Sequence, residues 1–183
     1  SRTEEIIPLV HEKVAFSELY RRTGCQFQPF NSLYQLFDDK EKGRLEGVTD
    51  FLMVPEYLLY KLCGNRAKEY TNATTGNLVN AAAKDWDWDL IDRLGLPRRI
   101  FGALQMPGAH VGGLSPDVQR RVGFAAQVVL PATHDTGSAF LAVPARDDKA
   151  VYISSGTWSL FGTELREPNT LHESFEAGFT NEG

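Results

Sequence analysis

Residues 128–138 read VVLPATHDTGS and place a polar turn directly after an apolar, β-branched run. The run at 127–133 is typical of a buried strand, and the small residues at 136–143 are compatible with a helix. The sequence therefore predicts a strand followed by a helix, with Asp135 at the junction between them.

A second polar turn follows at 154–157, where SSGT separates the apolar runs 151–153 and 158–161. This pattern predicts two short strands joined by a tight turn. Successive backbone N–H groups in such a turn can bind an anion, Gly156 adds conformational freedom, and Thr157 adds a hydroxyl donor. A plain hairpin with glycine in its turn would have the same sequence pattern. Because the two turns are close in sequence, one site could use both.

Asp135 has two interpretations on local pattern alone. The start of a helix favours a negative charge, and an ionised carboxylate can act as general base toward a hydroxyl. Aspartate is also a common helix cap, which would make Asp135 purely structural. The neighbouring His134 either hydrogen-bonds a polar ligand or is an ordinary histidine at the end of a strand. Both pairs of alternatives stay open at this point.

Several other kinds of site are disfavoured. The string DTGS at 135–138 also occurs in aspartic proteases, but those enzymes pair two aspartates and this chain has no second DTG or DSG. No G-x-S-x-G motif indicates a serine hydrolase. Four dispersed histidines and two lone cysteines do not match a structural zinc site, so we assign no metal-ligating residue.

Composition narrows the class of protein further. The chain has 183 residues, 42% of them apolar, and a net charge of −5. Its arginine pairs are isolated, which disfavours nucleic-acid binding. No apolar run approaches the roughly 20 residues of a membrane span, and residues 1–9 do not resemble a signal peptide. The absence of such a run predicts no membrane partner. Cys25 and Cys63 lack paired spacing, so we expect reduced thiols and a cytoplasmic location. Nothing in the sequence indicates an oligomeric state.

The order of elements suggests two unequal parts. We predict helices over 8–22, 32–42, 51–62, 85–94 and 116–122, a loop at 107–113, and strands only after Gly123. Glycines at positions 24, 64 and 123 are the predicted ends of the first, third and fifth of these helices. Asp50 is the predicted cap of the third helix. The polar connector 144–149 is the predicted domain boundary. Because the short piece after it cannot bury a core of its own, we expect the chain to be a fragment of a larger, two-lobed protein.

At the two polar turns and at further motifs along the chain, the sequence resembles the FGGY carbohydrate kinases, and within them most closely the rhamnulokinases. The resemblance covers nearly the whole chain from about Ile7, and the order and spacing of its motifs make it specific. A Lys/Trp-containing motif usual in the general family is absent. The matching strings are 23–26 (TGCQ), 31–36 (NSLYQL), 55–58 (PEYL), 62–64 (LCG), 69–75 (EYTNATT), 85–86 (DW), 134–136 (HDT), 154–160 (SSGTWSL) and 180–183 (TNEG).

The resemblance implies an α/β fold of the actin-like ATPase, ribonuclease-H-like type, present here in part. Residues 1–145 would form the C-terminal part of a sugar-binding first lobe, and 146–183 the start of an ATP-binding second lobe. Asp135 would be the catalytic base, His134 and Thr136 sugar contacts, and Thr157 with Gly156 an ATP phosphate contact. Segment 71–75 would be structural.

The implied reaction is ATP-dependent phosphorylation of a ketose, with L-rhamnulose to L-rhamnulose 1-phosphate as the first choice and Mg²⁺ neutralising the phosphates. Another sugar specificity within the family, or a non-catalytic binding protein that keeps part of the kinase fold, is the alternative. The family's Asp-x-Gly phosphate loop and adenosine loop would lie outside residues 1–183. We therefore expect these residues by themselves to lack kinase turnover.

Overall fold

The computed structural model describes residues 2–147 and 149–183. The strands in these ranges form four two-stranded pairs, of which Lys68–Glu69 with Leu104–Gln105 is parallel and the others are antiparallel. The helices are α1 (Ile7–Lys13), α2 (Phe16–Thr23), α3 (Ser32–Glu41), α4 (Val54–Cys63), α5 (Tyr70–Thr74), α6 (Trp88–Arg93), α7 (Pro116–Val122), α8 (Asp135–Leu141) and α9 (His172–Glu176), with a 3₁₀ turn at Arg98–Ile100. The strands are β1 (Lys68–Glu69), β2 (Val79–Asn80), β3 (Asp85–Trp86), β4 (Leu104–Gln105), β5 (His110–Gly113), β6 (Gln127–Val129), β7 (Tyr152–Ser155) and β8 (Ser159–Gly162).

The hydrophobic core is built from the first hundred or so residues. Apolar faces of α1, α2, α3 and α6 meet there and exclude water, which is the main stabilising contribution to a fold of this size. Trp86 is buried in this core and its indole N–H donates to the Gly102 carbonyl at 2.7 Å. The fully buried members include Val10, Leu19, Leu33, Tyr34, Phe37, Leu90 and Ile91.

The predicted single helix over 8–22 is wrong, because the chain forms α1 and α2 with a break between them. Val14 has an extended backbone (φ −142°, ψ 111°) and a buried side chain. β-branched residues such as valine favour extended backbone, which explains why α1 ends before Val14. The predicted end of α2 at Gly24 is confirmed, with this glycine in the left-handed region.

The prediction of strands only after Gly123 is wrong, because β1, β2, β3, β4 and β5 all come before that glycine. Residues 85–94 do not form one helix, since Asp85–Trp86 is a strand and the Asp87 carboxylate caps α6 through the Leu90 N–H. The predicted loop at 107–113 ends in β5, which pairs with β6. Its strand character depends on a partner remote in sequence, which local pattern does not reveal.

The predicted cap of α4 is also wrong. The Asp50 carboxylate pairs with the ammonium group of Lys68 instead. The cap comes from inside the helix, where the Glu56 carboxylate accepts a hydrogen bond from the Met53 N–H at 2.7 Å. Gly64 ends α4 as predicted.

The predicted hairpin is present as β7 and β8, with Ser155 opposite Ser159. Its main contact with the rest of the chain is Tyr152, whose ring stacks on Phe140 of α8 at 5.2 Å between centroids. The hairpin's apolar side chains are otherwise open, with Ile153 71% and Phe161 63% exposed. The hairpin therefore lies on α8 and outside the hydrophobic core.

Residues 179–183, here called the C-terminal clasp, return to the first helices. The Tyr20 hydroxyl donates to the Phe179 carbonyl at 2.8 Å. The Asn181 N–H donates to the Gly24 carbonyl at 2.8 Å, and the Gly183 N–H donates to the Thr74 hydroxyl at 3.0 Å. These bonds join the end of the chain to α2 and α5.

The clasp packs closely against Gly24, and we expect Gly24→Ala to destabilise the protein. A β-carbon there would lie 2.8 Å from Cβ of Asn181, and the backbone has φ +71°. Gly64→Ala is the matched control, because Gly64 is also a left-handed helix end (φ +77°) but has open space around it. Gly24→Ala should cost about 1 kcal/mol more than Gly64→Ala, since only the former adds a steric clash to the backbone strain. Urea unfolding measures the difference, and equal costs would contradict close packing of the clasp.

Among the described residues, no helix is both long and apolar enough to cross a membrane.

Candidate functional site

The site is organised around a buried carboxylate, that of Glu69 at the end of β1. Its side chain is fully buried, with 0% exposure. One oxygen accepts from the Thr71 N–H at 2.7 Å, and the other accepts from the Thr71 hydroxyl at 2.6 Å and the Asn72 N–H at 2.9 Å. Glu69 is therefore the cap of α5. A cap of this kind satisfies helix N–H groups that would otherwise lack partners.

Glu69 also holds the loop that leads to the predicted catalytic residue. The same oxygen that accepts from Asn72 accepts from the Thr133 N–H at 3.1 Å and its hydroxyl at 2.7 Å. One step further along, the His134 N–H donates to the Thr71 hydroxyl oxygen at 3.3 Å. The segment between β6 and α8 is thus tied to the start of α5.

The hydrogen bonds on Glu69 determine its charge. Burial by itself raises the pKa of a carboxyl group, but the bonds from Thr71, Asn72 and Thr133 outweigh burial and lower the pKa of Glu69 below its ordinary value. The nearby Glu56 carboxylate accepts from the Glu69 N–H at 2.7 Å, yet its own pKa is raised, mainly by burial. The hydrogen bonds on Glu69 therefore favour its ionised form, and Glu69 is the more acidic of these two neighbouring carboxyl groups.

Asp135 is the first residue of α8 and its side chain is exposed. One carboxylate oxygen, Oδ1, accepts from the Thr136 N–H at 2.7 Å and the Thr136 hydroxyl at 3.4 Å. Within the described parts of the chain, the other oxygen accepts no hydrogen bond. The alternative that Asp135 is the helix cap is not what the structure has, because His134 occupies that position. Asp135 therefore presents an open carboxylate oxygen to solvent.

His134 lies beside Asp135 and is largely buried, with 13% of its side chain exposed. Its Nδ1 accepts from the Gly137 N–H at 2.9 Å and so caps α8. Its Nε2 lies 2.8 Å from Oε2 of Glu182 in the clasp. Both ring nitrogens therefore have partners within the chain, and a ligand reaching Nε2 would share it with Glu182.

Gly137 allows this cap, and we expect Gly137→Ala to remove it. A β-carbon there would lie 2.8 Å from His134 Nδ1. Replacing glycine in a helix ordinarily stabilises it by about 0.5–1 kcal/mol, so a net loss of about 1 kcal/mol would mark the clash. Ala139→Gly, at an exposed position of the same helix, measures how much the exchange of alanine and glycine changes the stability of α8 without a clash. A Gly137→Ala variant more stable than the parent protein in urea would contradict the cap.

The second predicted turn lies at the tip of the β7–β8 hairpin. The Gly156 N–H donates to the Trp158 carbonyl at 2.7 Å, and Thr157 is exposed. Gly156 does not have a positive φ, so the turn does not require the conformational freedom that suggested a role for this glycine. Within residues 2–147 and 149–183, no hydrogen bond or ion pair joins this turn to residues 134–136. The two turns are connected through the Phe140–Tyr152 stack.

The structure thus groups His134, Asp135 and Thr136 and sets Thr157 on a neighbouring element. Sequence reasoning missed Glu69 and Glu182, the two carboxylates that hold this group. Both lie in strings that were matched by resemblance, but their roles depend on contacts across more than forty residues. No group of three or more metal-ligating side chains is formed by the described residues.

Comparisons with known proteins identify the family of this chain. Residues 1–142 match the N-terminal domain of the FGGY family of carbohydrate kinases. Rhamnulokinases from Oceanobacillus iheyensis and Halalkalibacterium halodurans are 45% and 44% identical to this chain over 184 residues, covering 100% of this chain and 39% of each relative. The chain therefore spans about two fifths of the length of these curated relatives.

A solved structure shows the same fold. The crystal structure of a xylulose kinase from Rhodospirillum rubrum superposes with a TM-score of 0.71 at 16% identity, covering 84% of this chain and 32% of that one. The expected fold, a partial α/β domain of the actin-like ATPase type, is confirmed by this likeness.

Proposed function

Since the chain belongs to the FGGY family of carbohydrate kinases, we propose that it forms part of an ATP-dependent kinase that phosphorylates a ketose, with L-rhamnulose as substrate. The observation that carries the proposal is the open carboxylate oxygen of Asp135, fixed beside His134 above the buried Glu69. The identity to two rhamnulokinases supports the choice of sugar.

Asp135 is the proposed general base. Its Oδ1 is held by Thr136, and Oδ2, which has no hydrogen-bond partner among the described residues, can accept the proton of the attacking sugar hydroxyl. Removing that proton as the oxygen approaches the γ-phosphate makes the hydroxyl a better nucleophile. His134 and Thr136 are proposed to line the sugar site on either side. Most of the rate gain in such a transfer comes from positioning the reactants.

The tip of the hairpin is the proposed phosphate contact. Gly156 and Thr157 are both exposed, and the Thr157 hydroxyl has the donor character that phosphate oxygens need. The Gly156 N–H is bonded to the Trp158 carbonyl, so Gly156 is proposed to contribute through the shape of the turn. Mg²⁺ would arrive as the ATP complex and neutralise phosphate charge, and we assign it no protein ligand. We propose that 1–145 belongs to the sugar-binding lobe and that 146–183 begins the ATP-binding lobe. The position of the hairpin outside the core supports this division, whereas the clasp at 179–183 bonds back to α2 and α5 of the first part.

A coupled assay of ADP release tests this proposal on the product of the full open reading frame that encodes this chain. L-rhamnulose, L-fuculose, L-ribulose, D-xylulose and glycerol are compared at equal concentration. We expect ATP-dependent turnover with the highest kcat/KM for L-rhamnulose. A preference for another sugar would contradict the choice of ketose, and sugar binding without turnover of any of the five would contradict the kinase proposal.

Thr157→Val should weaken ATP binding by removing one hydroxyl while keeping the side chain's shape. A hydrogen bond to a charged group contributes about 1.5–3 kcal/mol, so we expect the KM for ATP to rise about tenfold or more. Thr157→Ser keeps the hydroxyl and is the matched control. The KM for sugar should stay within about twofold. An unchanged KM for ATP in the valine variant would remove Thr157 from the site.

A further inference from the structure

We propose that Glu182 is a positioning residue, which holds the His134 ring in the orientation that caps α8 beside Asp135. The proposal rests on the proposed function in one respect only, that residues 134–136 line a sugar site. Glu182 belongs to the clasp, 48 positions after His134 along the chain, counting from 134 to 182. It is not itself a residue that would contact the reacting atoms.

The geometry of the ring carries the proposal. His134 Nδ1 accepts from the Gly137 N–H at 2.9 Å, so this nitrogen carries no proton. In the neutral ring Nε2 then carries the proton. Nε2 lies 2.8 Å from the Glu182 carboxylate, which accepts a hydrogen bond from the Nε2–H group. In a histidine, the hydrogen bond made by one ring nitrogen determines which state the other adopts. Glu182 therefore selects the tautomer that caps α8.

The backbone on both sides of Glu182 is fixed, which makes the carboxylate a preorganised partner. On one side the Asn181 side chain donates to the Asn169 carbonyl at 2.9 Å, and its N–H donates to Gly24. On the other side the Gly183 N–H donates to Thr74. The Glu182 side chain is 26% exposed, so its interaction with His134 is partly shielded from water. The clasp thus brings a charge from the end of the chain to the start of α8.

Three carboxylates influence the charge of the His134 ring: Glu182 from the clasp, Asp135 from α8 and Glu69 from β1. Burial lowers the pKa of His134, but the hydrogen bond and charge of Glu182, with smaller contributions from Asp135 and Glu69, raise it above its ordinary value. Protonation would add a hydrogen to Nδ1 and oppose the Gly137 bond. The ring therefore responds to Glu182 in two measurable ways, through its tautomer and through its pKa.

The test uses the full open reading frame product labelled with ¹⁵N in its histidine rings, with the His134 signal assigned by its loss in His134→Asn. Glu182→Ala and Glu182→Gln are compared, with Glu176→Gln as the control at an exposed position of α9. We expect the parent protein and Glu182→Gln to keep the Nε2–H tautomer, because the glutamine oxygen still accepts. Glu182→Ala should give a mixture of tautomers. Both Glu182 variants should lower the pKa of His134, and Glu176→Gln should leave the ring unchanged.

Kinetics supply the second readout. Glu182→Ala should raise the KM for the sugar at least fivefold, with Glu182→Gln restoring most of that loss. An unchanged tautomer and pKa of His134 in Glu182→Ala would overturn the proposal. If the ring responds as expected but the parent protein phosphorylates no sugar, the proposed function fails while the role of Glu182 toward His134 stands.

Discussion

Asp135→Asn should abolish most sugar phosphorylation in the product of the full open reading frame. The substitution keeps the size of the side chain but removes the group that would accept the hydroxyl proton. General-base catalysis contributes roughly 10²–10⁴-fold, so we expect kcat to fall by about 10³-fold. The KM for ATP should change little. A coupled assay at saturating sugar and ATP measures the loss.

Asp117→Asn is the matched control, because Asp117 is also an exposed aspartate in the first turn of a short helix, α7. It should leave kcat within about twofold. Both variants should unfold within about 0.5 kcal/mol of the parent protein, as is usual for exposed positions. If Asp135→Asn keeps near-normal turnover, another group is the base.

Glu69→Ala should be the most destabilising single substitution near the site. It would leave the N–H groups of Thr71, Asn72 and Thr133 without their acceptor, the first at a buried position and the other two at half-buried positions. Each orphaned buried donor costs about 1–3 kcal/mol, so we expect the free energy of unfolding to fall by about 3 kcal/mol or more. Urea unfolding followed by tryptophan fluorescence measures it. Glu41→Ala, at the exposed end of α3, should cost under about 0.5 kcal/mol.

The contribution of Glu69 should also depend on pH. Its pKa in the folded chain is below the value of 4.5 that an unperturbed glutamate has. The stabilisation is therefore fully present above pH 4.5 and is lost as pH falls through the folded-state pKa. Glu69→Gln should lose this part of the acid dependence while keeping the side chain's size. If the parent protein and Glu69→Gln show the same change in stability below pH 4.5, then Glu69 is not the ionised acceptor.

Local sequence patterns predicted the elements that end at a glycine or at a polar turn. Gly24, Gly64 and Gly123 end helices as expected, since each adopts the left-handed backbone that glycine permits. The hairpin over β7 and β8 and the strand-to-helix junction at Asp135 were also predicted, because both alternate short apolar runs with polar turns. The break at Val14 was missed, since the apolar spacing continues across it and the extended backbone that ends α1 is not visible in that spacing.

The site was predictable only in its local part. Residues 134–136 are adjacent in sequence, so a single motif identified them. Glu69 and Glu182 join the site from elements far along the chain, and neither spacing nor charge in the sequence marks them as partners of Thr133 or His134. The Glu69 carboxylate accepts five hydrogen bonds, and this arrangement exists only when the fold brings Thr133 to the start of α5.

A crystal structure of the full open reading frame product with L-rhamnulose and a non-hydrolysable ATP analogue tests the role of Asp135 most directly. The measurement is the distance from the Asp135 carboxylate to the sugar hydroxyl that faces the γ-phosphate. We expect it to be about 2.6–3.2 Å, as general-base catalysis requires. A sugar bound with that hydroxyl out of hydrogen-bonding reach of Asp135, and beside a different base, would contradict the account.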